Sequence, residues 1–378
     1  MRAISTRAAP GHETAGCTAR SDCGHDFHRE LKVQPSIIRP VPRPRIVVLA
    51  TGGTIASTLP HAQARAQDYA VTRAAGDLLS CVPQAGQIAD LHCIDLMSLP
   101  SHDIGNEELL AIAREVQTWL GREDIDGLVI THGTDSLEET AFFLHLVIQS
   151  EKHVVLTGSM RPSDHLSPDG PANLLEAIAV AAAPLASGRW VLVGMNDAIM
   201  HARSCSKQHT SSVAAFDGWA SERAGSVMGA DVAFDAPCVG RQACGSGYVL
   251  AKLDRLPVID VIFDHQSARS SLYEASVASG SAGVVSAGMG NGSLSPGAHR
   301  GARYAGDRGV AVVRASRCGR GLVTPLAMDD ELQTIAGAHL SPQKARILLM
   351  VALAHGAGRE ELTRQFAEYC RVCAHNIY

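Results

Sequence analysis

The chain has 378 residues, 46% of them hydrophobic and 4% aromatic, with 33 Lys and Arg against 38 Asp and Glu for a formal charge of −5. Such a length exceeds one average domain and the apolar share is enough for real cores, so two globular domains of unequal size are expected. The charges form no long run of either sign and no apolar run approaches the length of a membrane span, which argues against nucleic-acid and membrane partners.

Residues 1–43 mix Pro, Gly, His and charge and end in the stiff spacer at Pro40 to Pro44, so a disordered N-terminal extension is expected there. They hold no apolar core long enough for a secretory signal, which places the protein in the cytoplasm, or in the periplasm if the start codon is misassigned. The 10 cysteines are scattered rather than framed as a disulfide scaffold, so most are expected to be reduced. Cys370 and Cys373 beside His375, and Cys17 and Cys23 near His25 and His28, each lack the second pair that a tetrahedral zinc site needs, and no metal is expected.

Arg45 to Ser57 reads RIVVLATGGTIAS, a buried β-branched strand running into a turn of threonines and glycines. Gly52 and Gly53 permit close backbone approach to a ligand at the carboxyl edge of a sheet, and Thr54 follows with a hydroxyl in position to attack. Taken alone, the stretch reads equally well as ordinary packing punctuation. The polar segment after it, STLPHAQARAQDYAVT, has neither clean period and reads as a lid loop carrying Tyr69 on its return strand. Asn106 opens a helix with Leu109, Ile112, Ala113, Val116 and Leu120 on one face. A second strand, Leu128 to Thr131, feeds a turn with Thr134 and Asp135. Ser136 and Glu139 then form the pattern of a capping box ahead of Leu137, Ala141, Leu144 and Ile148.

Val154 to Thr157 and Trp190 to Met195 read as strands around a helix started by Pro171, an alternation that predicts a parallel sheet. Residues 44–236 form the expected first domain, 237–257 a Gly- and Cys-rich linker, and 258–378 a smaller second domain with strands at Val258 to Phe263, Gly283 to Ser286 and Gly309 to Arg314. Ser341 and Pro342 open a further helix, and a last one runs from Arg359 to Tyr369. Lys207 stands out as one of five lysines in a chain that otherwise uses arginine. Arginine cannot surrender its proton at usable pH and lysine can, so Lys207 is a candidate base, although a solvated loop lysine fits the local sequence too.

TGGTIA at Thr51 to Ala56 and THGTD at Thr131 to Asp135 are the two hallmarks of the bacterial L-asparaginase family, which the chain resembles from about Arg45 to the C-terminal helix. MRPSDHLSPDGP at Met160 to Pro171 and SPQKARILL at Ser341 to Leu349 belong to the same resemblance. It implies an α/β fold with a larger N-terminal parallel-sheet (flavodoxin-like) domain and a smaller C-terminal α/β domain. The implied reaction is hydrolysis of L-asparagine to L-aspartate and ammonia through a threonine acyl-enzyme, without cofactor or metal, in a homotetramer.

The same resemblance makes Thr54 the nucleophile and Tyr69 its activating lid tyrosine, with Thr134, Lys207 and Asp135 as a proton relay and Asp135 also holding the substrate ammonium. Ser101 matches the serine that grips the α-carboxylate, and Asn291 an asparagine supplied by a neighbouring subunit. Two positions depart from the family: His102 stands where an acidic residue or glutamine is usual, and Ala327 where many relatives place a glutamate, with Asp329 or Asp330 as candidate substitutes. Dual action on L-glutamine and a non-catalytic amino-acid binding role are the rival readings. An amidotransferase subunit acting on charged tRNA lacks a basic cluster to contact the nucleic acid.

Overall fold

A computed structural model describes residues 42–59, 70–184, 191–218, 223–235 and 247–374, with side chains up to 369. Residues 1–41 of the expected extension, Tyr69, Trp190 and residues 236–246 lie outside the described residues, as do the side chains of the cysteine–histidine groupings at both ends. Among the described residues Cys81, Cys93, Cys205 and Cys318 carry free thiols.

Eight strands build the first sheet: β1 Arg45–Gly52, β2 Asp90–Leu99, β3 Gly127–Thr131, β4 His153–Thr157, β5 Val191–Met195, β6 Ala198–His201, β7 Arg223–Met228 and β8 Asp231–Phe234. Their order across the sheet is β8-β7-β6-β5-β4-β3-β1-β2. The central strands are apolar on both faces because helices cover both. Val47, Leu49, Leu128 and Ile130 point toward α1 (Asn106–Leu120) and α2 (Leu137–Val147), while Ile46, Val48 and Val129 point toward α3 (Gly170–Ala182). From β2 through β1, β3 and β4 to β5 the pairing is parallel. The chain order therefore reverses between β1 and β3, the switch point at which ligands gather in open α/β sheets.

Beyond β5 the sheet departs from the parallel expectation, since β6, β7 and β8 are joined to it and to one another antiparallel. The reversal between β5 and β6 is a turn at Asn196 and Asp197, both left-handed with φ of 51° and 62°. That geometry suits a two-residue hairpin, and Asn and Asp tolerate it better than most side chains.

The second sheet is parallel throughout, in the order β9 Ile259–Phe263, β10 Gly283–Gly288, β11 Ala311–Ser316 and β12 Thr334–Ala336. Three residues of β12 are too few to show a period, and no strand was expected there. Helix α4 is Ser271–Ala278, α5 Pro296–Gly306, α6 Ala327–Leu332, α7 Pro342–Ala354 and α8 Arg359–Ala374. Ser341 caps α7 by accepting from the Lys344 backbone N–H. Val285, Val313 and Ile335 of the second sheet share one continuous core with Val47 and Leu128 of the first, and α7 contributes Ala345, Leu348 and Leu349 to it. Tyr248, Leu250, Leu253 and Leu256 are buried in the same core, so residues 247–257 are packed structure as well as connection.

The capping box expected at Ser136 and Glu139 is not formed. The Ser136 hydroxyl donates instead to the carbonyl of Ser101 at 2.6 Å, and the Glu139 carboxylate pairs with Arg346 of α7 at 3.1 Å. Asp329 is likewise committed elsewhere: its two oxygens accept from the buried Arg314 guanidinium at 2.6 Å each, and Thr334 and the Leu326 N–H donate to it as well. Desolvation pushes this carboxyl up, but those donors together hold it below its ordinary value, so it is an ionised partner inside the second sheet. It is not a substitute for the glutamate missing at Ala327.

Near the first hairpin, burial followed by the hydrogen bond and charge of Asp197 pushes the Glu176 carboxyl up to about 7 from its ordinary 4.5. The folded state thus holds this proton more tightly than the unfolded chain. Stability associated with it is complete at acidic pH and is lost as pH rises through neutrality. Replacing Glu176 by Gln should therefore flatten the fall in melting temperature between about pH 5 and about pH 8, as followed by thermal unfolding. Parallel profiles for the two proteins would contradict the assignment.

Candidate active site

The strand β1 ends in a turn that only glycine can make. Gly52 and Gly53 adopt φ of 104° and 81°. A Cβ on Gly52 would lie 2.5 Å from the Leu99 carbonyl oxygen, and one on Gly53 would lie 2.2 Å from Gly133 Cα. The Thr51 hydroxyl donates to the Thr131 carbonyl at 2.9 Å and the Gly53 N–H to the Leu99 carbonyl at 3.0 Å, fastening the turn to its neighbours on both sides. Thr54 follows, buried, as the first residue of a single helical turn, Thr54–Ala56.

On the adjacent parallel strand, β3 delivers His132, Gly133, Thr134 and Asp135 beside it. His132 is fully buried, and its Nδ1 lies 2.7 Å from the Gly133 carbonyl. A carbonyl only accepts, so Nδ1 carries the hydrogen and Nε2 accepts from the Thr140 hydroxyl at 3.0 Å. Desolvation lowers its pKa to about 4, which keeps the ring neutral, and the Gly133 carbonyl fixes the tautomer. His132 thereby ties the turn to the first part of α2. Its signal in the sequence was only the second letter of the THGTD motif.

Lys207 lies outside the main sheet, on a short two-stranded ribbon in which Ser206–Lys207 pairs with Phe216–Asp217. Its Nζ donates to Thr134 Oγ1 at 3.0 Å and to Asp135 Oδ1 at 2.7 Å. The lysine side chain is 15% exposed and the aspartate 56%, so the ammonium is enclosed while the carboxylate keeps a face open to a ligand. The other oxygen, Asp135 Oδ2, stands 3.9 Å from His102 Nδ1, and His102 Nε2 is 3.8 Å from Asp103. Ser101 Oγ accepts from the N–H groups of Asp135 and Ser136 at 3.2 and 3.3 Å. Those contacts occupy its lone pairs and leave its hydrogen to donate to an incoming anion. A cavity of about 500 Å3 opens beside Ser101, His102 and Asp135 and extends to Arg346.

Thr134, Asp135, Lys207, Ser101 and His102 are thus brought together, and Thr54 sits at the end of the neighbouring strand. Asn291 is not part of this cluster: it exchanges hydrogen bonds with Thr324 at 2.7 and 2.8 Å, inside the second sheet's own loops. Tyr69 lies outside the described residues.

Residues 45–239 match the family model "Asparaginase, N-terminal" and residues 258–366 match "Glutaminase/Asparaginase C-terminal domain". The chain belongs to the asparaginase family. It is 40% identical over 328 residues to L-asparaginase 2 of Bacillus subtilis, covering 86% of this chain and 87% of that protein. It is 36% identical to the glutaminase-asparaginase of Pseudomonas fluorescens, covering 86% of this chain and 90% of that one. Among solved structures, a probable cytoplasmic L-asparaginase from Campylobacter jejuni superimposes with a TM-score of 0.81 at 33% identity, over 86% of this chain and 99% of the other.

Within this asparaginase-family site, Gly133 is a contact point where a single methyl group should be felt. A Cβ there would lie 2.7 Å from Ser101 Oγ, 2.8 Å from Ser101 Cβ and 3.0 Å from Ser101 N, so the short loop bearing Ser101 has to move. Gly133→Ala is expected to lower kcat/KM on the amide substrate by about 100-fold, the usual cost of a misplacement near 1 Å, while the protein stays folded. Steady-state kinetics with circular dichroism checks this, and an unaltered kcat/KM would contradict it.

Proposed function

We propose that this protein hydrolyses L-asparagine to L-aspartate and ammonia, with Thr54 as nucleophile. The observation that carries the reading is the Lys207 ammonium held between the Thr134 hydroxyl and the Asp135 carboxylate, at the strand end next to the Thr51–Thr54 turn. A threonine hydroxyl is a weak nucleophile and needs a base within reach. In the amine form Lys207 takes a proton through Thr134, Thr54 attacks the carboxamide carbon, and the proton returns to the leaving nitrogen as ammonia departs. Water then cleaves the aspartyl ester by the same relay. Asp135 offers its open face to the substrate's α-ammonium and Ser101 its hydrogen to the α-carboxylate, both charge-assisted contacts.

Support for the substrate comes from the relatives in Bacillus subtilis and Escherichia coli, both named L-asparaginase 2. Relatives named glutaminase-asparaginase in two Pseudomonas species favour a second reading, in which glutamine is also accepted. We also place residues 44–236 and 258–378 as the two domains of each subunit, and assign Asn291 to the site of a neighbouring copy in a homotetramer, its exposure supporting that role. Cytoplasmic residence is proposed by likeness to the probable cytoplasmic L-asparaginase from Campylobacter jejuni.

Ammonia release from asparagine should vanish in Thr54→Ala, and Lys207→Met should lose most of kcat with a modest change in KM, because the relay acts mainly in the transition state. Binding of aspartate with no turnover by the native chain would replace this reading with the non-catalytic one. Rates on asparagine and glutamine measured side by side settle the preference.

A further inference from the structure

Lys344 is a second lysine that the reaction as described does not use. It stands in the first turn of α7, on the second-domain side of the chain, and is 3% exposed. Its Nζ donates to the carbonyls of Ala202 at 3.0 Å and Arg203 at 2.9 Å, and to that of Cys205. An ammonium has three hydrogens, and here three carbonyls of a single short connection receive them. That connection runs from β6, which ends at His201, to Ser206 and Lys207. It is already folded into a turn by the Ser204 and Cys205 N–H groups, which donate to His201 O at 3.1 and 2.9 Å. On the far side of Lys207, the Gln208 N–H donates to Ala215 O at 2.7 Å. The backbone around Lys207 is therefore held at both ends, and one of the two holds is a buried cation.

The same helix reaches the other half of the relay. Gln343 donates to Glu138 at 3.1 Å and Arg346 pairs with Glu139 at 3.1 Å, and these two glutamates open α2 directly after Thr134 and Asp135. Burying a lysine is costly unless its hydrogens are fully used, so a packing role alone would be met better by an apolar side chain. Residues 343, 344 and 346 in the first turns of α7 thus grip both arms that must meet at the Lys207 contacts.

We propose that Lys344 is a positioning residue: by capping the carbonyls of residues 202, 203 and 205 it sets the reach of Lys207 toward Thr134 and Asp135, and α7 is the brace on which both arms of the relay rest. The proposal relies on Lys207 acting as the relay base. If Lys207→Met keeps its turnover, that reading fails first, whatever Lys344 does.

The test compares Lys344→Met and Lys344→Arg with Tyr273→Phe, which removes a buried hydrogen bond to Ser286 in the second domain and serves as a stability control. Loss of the cap should lower kcat by about 100-fold in Lys344→Met and by about 10-fold in Lys344→Arg, whose planar head keeps the charge but misplaces its donors. KM should change far less, and the pH profile of kcat should shift. Hydrogen–deuterium exchange in the peptide covering residues 202–208 should speed up in both lysine variants and stay native in Tyr273→Phe, a readout independent of turnover. Should Lys344→Met fail to fold, Lys344→Arg carries the comparison. The proposal is overturned if either lysine variant melts earlier yet keeps native kcat, or if exchange over 202–208 does not change.

Discussion

An ammonium that must touch a hydroxyl and a carboxylate from a segment more than seventy residues away constrains everything around it. Lys207 meets Thr134 and Asp135 at 3.0 and 2.7 Å, bringing a residue of a separate two-stranded ribbon to the carboxyl end of a strand in the main sheet. Strand β3 supplies the acceptors and β1 brings Thr54 alongside. Beyond β5 the sheet continues antiparallel, and the chain leaves β6 at His201 to form the separate Ser206–Lys207 ribbon. A fully parallel sheet would have placed a helix between β5 and β6, whereas the hairpin at Asn196 and Asp197 keeps the connection short.

Close approach is the second requirement, and backbone rather than side chain provides it. Gly52, Gly53 and Gly133 leave no volume between the three strand ends, and the Ser101 loop fits into what remains. His132 supports the turn as a neutral ring, donating to one carbonyl and accepting from one hydroxyl. A charged ring in the same place would bring an unpaired buried cation next to the relay. The charges of the site are thereby limited to groups that face one another or face the opening, with His102 at the rim near both Asp135 and Asp103.

Much of this was legible in the sequence because its causes are local. Ile46 to Ala50 is apolar at every position, which marks a strand buried on both faces. Pro171 and Ser341 with Pro342 mark helix starts that lie where expected. The two threonine turns showed themselves through glycine and hydroxyl content, and the family resemblance joined them to Lys207. What failed has non-local causes. Ser136 and Glu139 carry the letters of a capping box, but Ser101 and Arg346, distant in sequence, compete for their side chains and win. Asp329 appeared available until Arg314, buried in β11, claimed both of its oxygens. Lys344 gave no sign of its three carbonyl partners, because nothing in the spacing of a helix reveals which loop folds over its first turn.

The central claim is that Thr134 and Lys207 act as one unit in moving the proton. A double-mutant cycle on kcat with asparagine, comparing Thr134→Val, Lys207→Met and the pair together, tests it most directly. Residues acting as a unit predict that the double variant loses no more than the worse single one. Losses that multiply would contradict the relay and leave the two side chains as independent contributors.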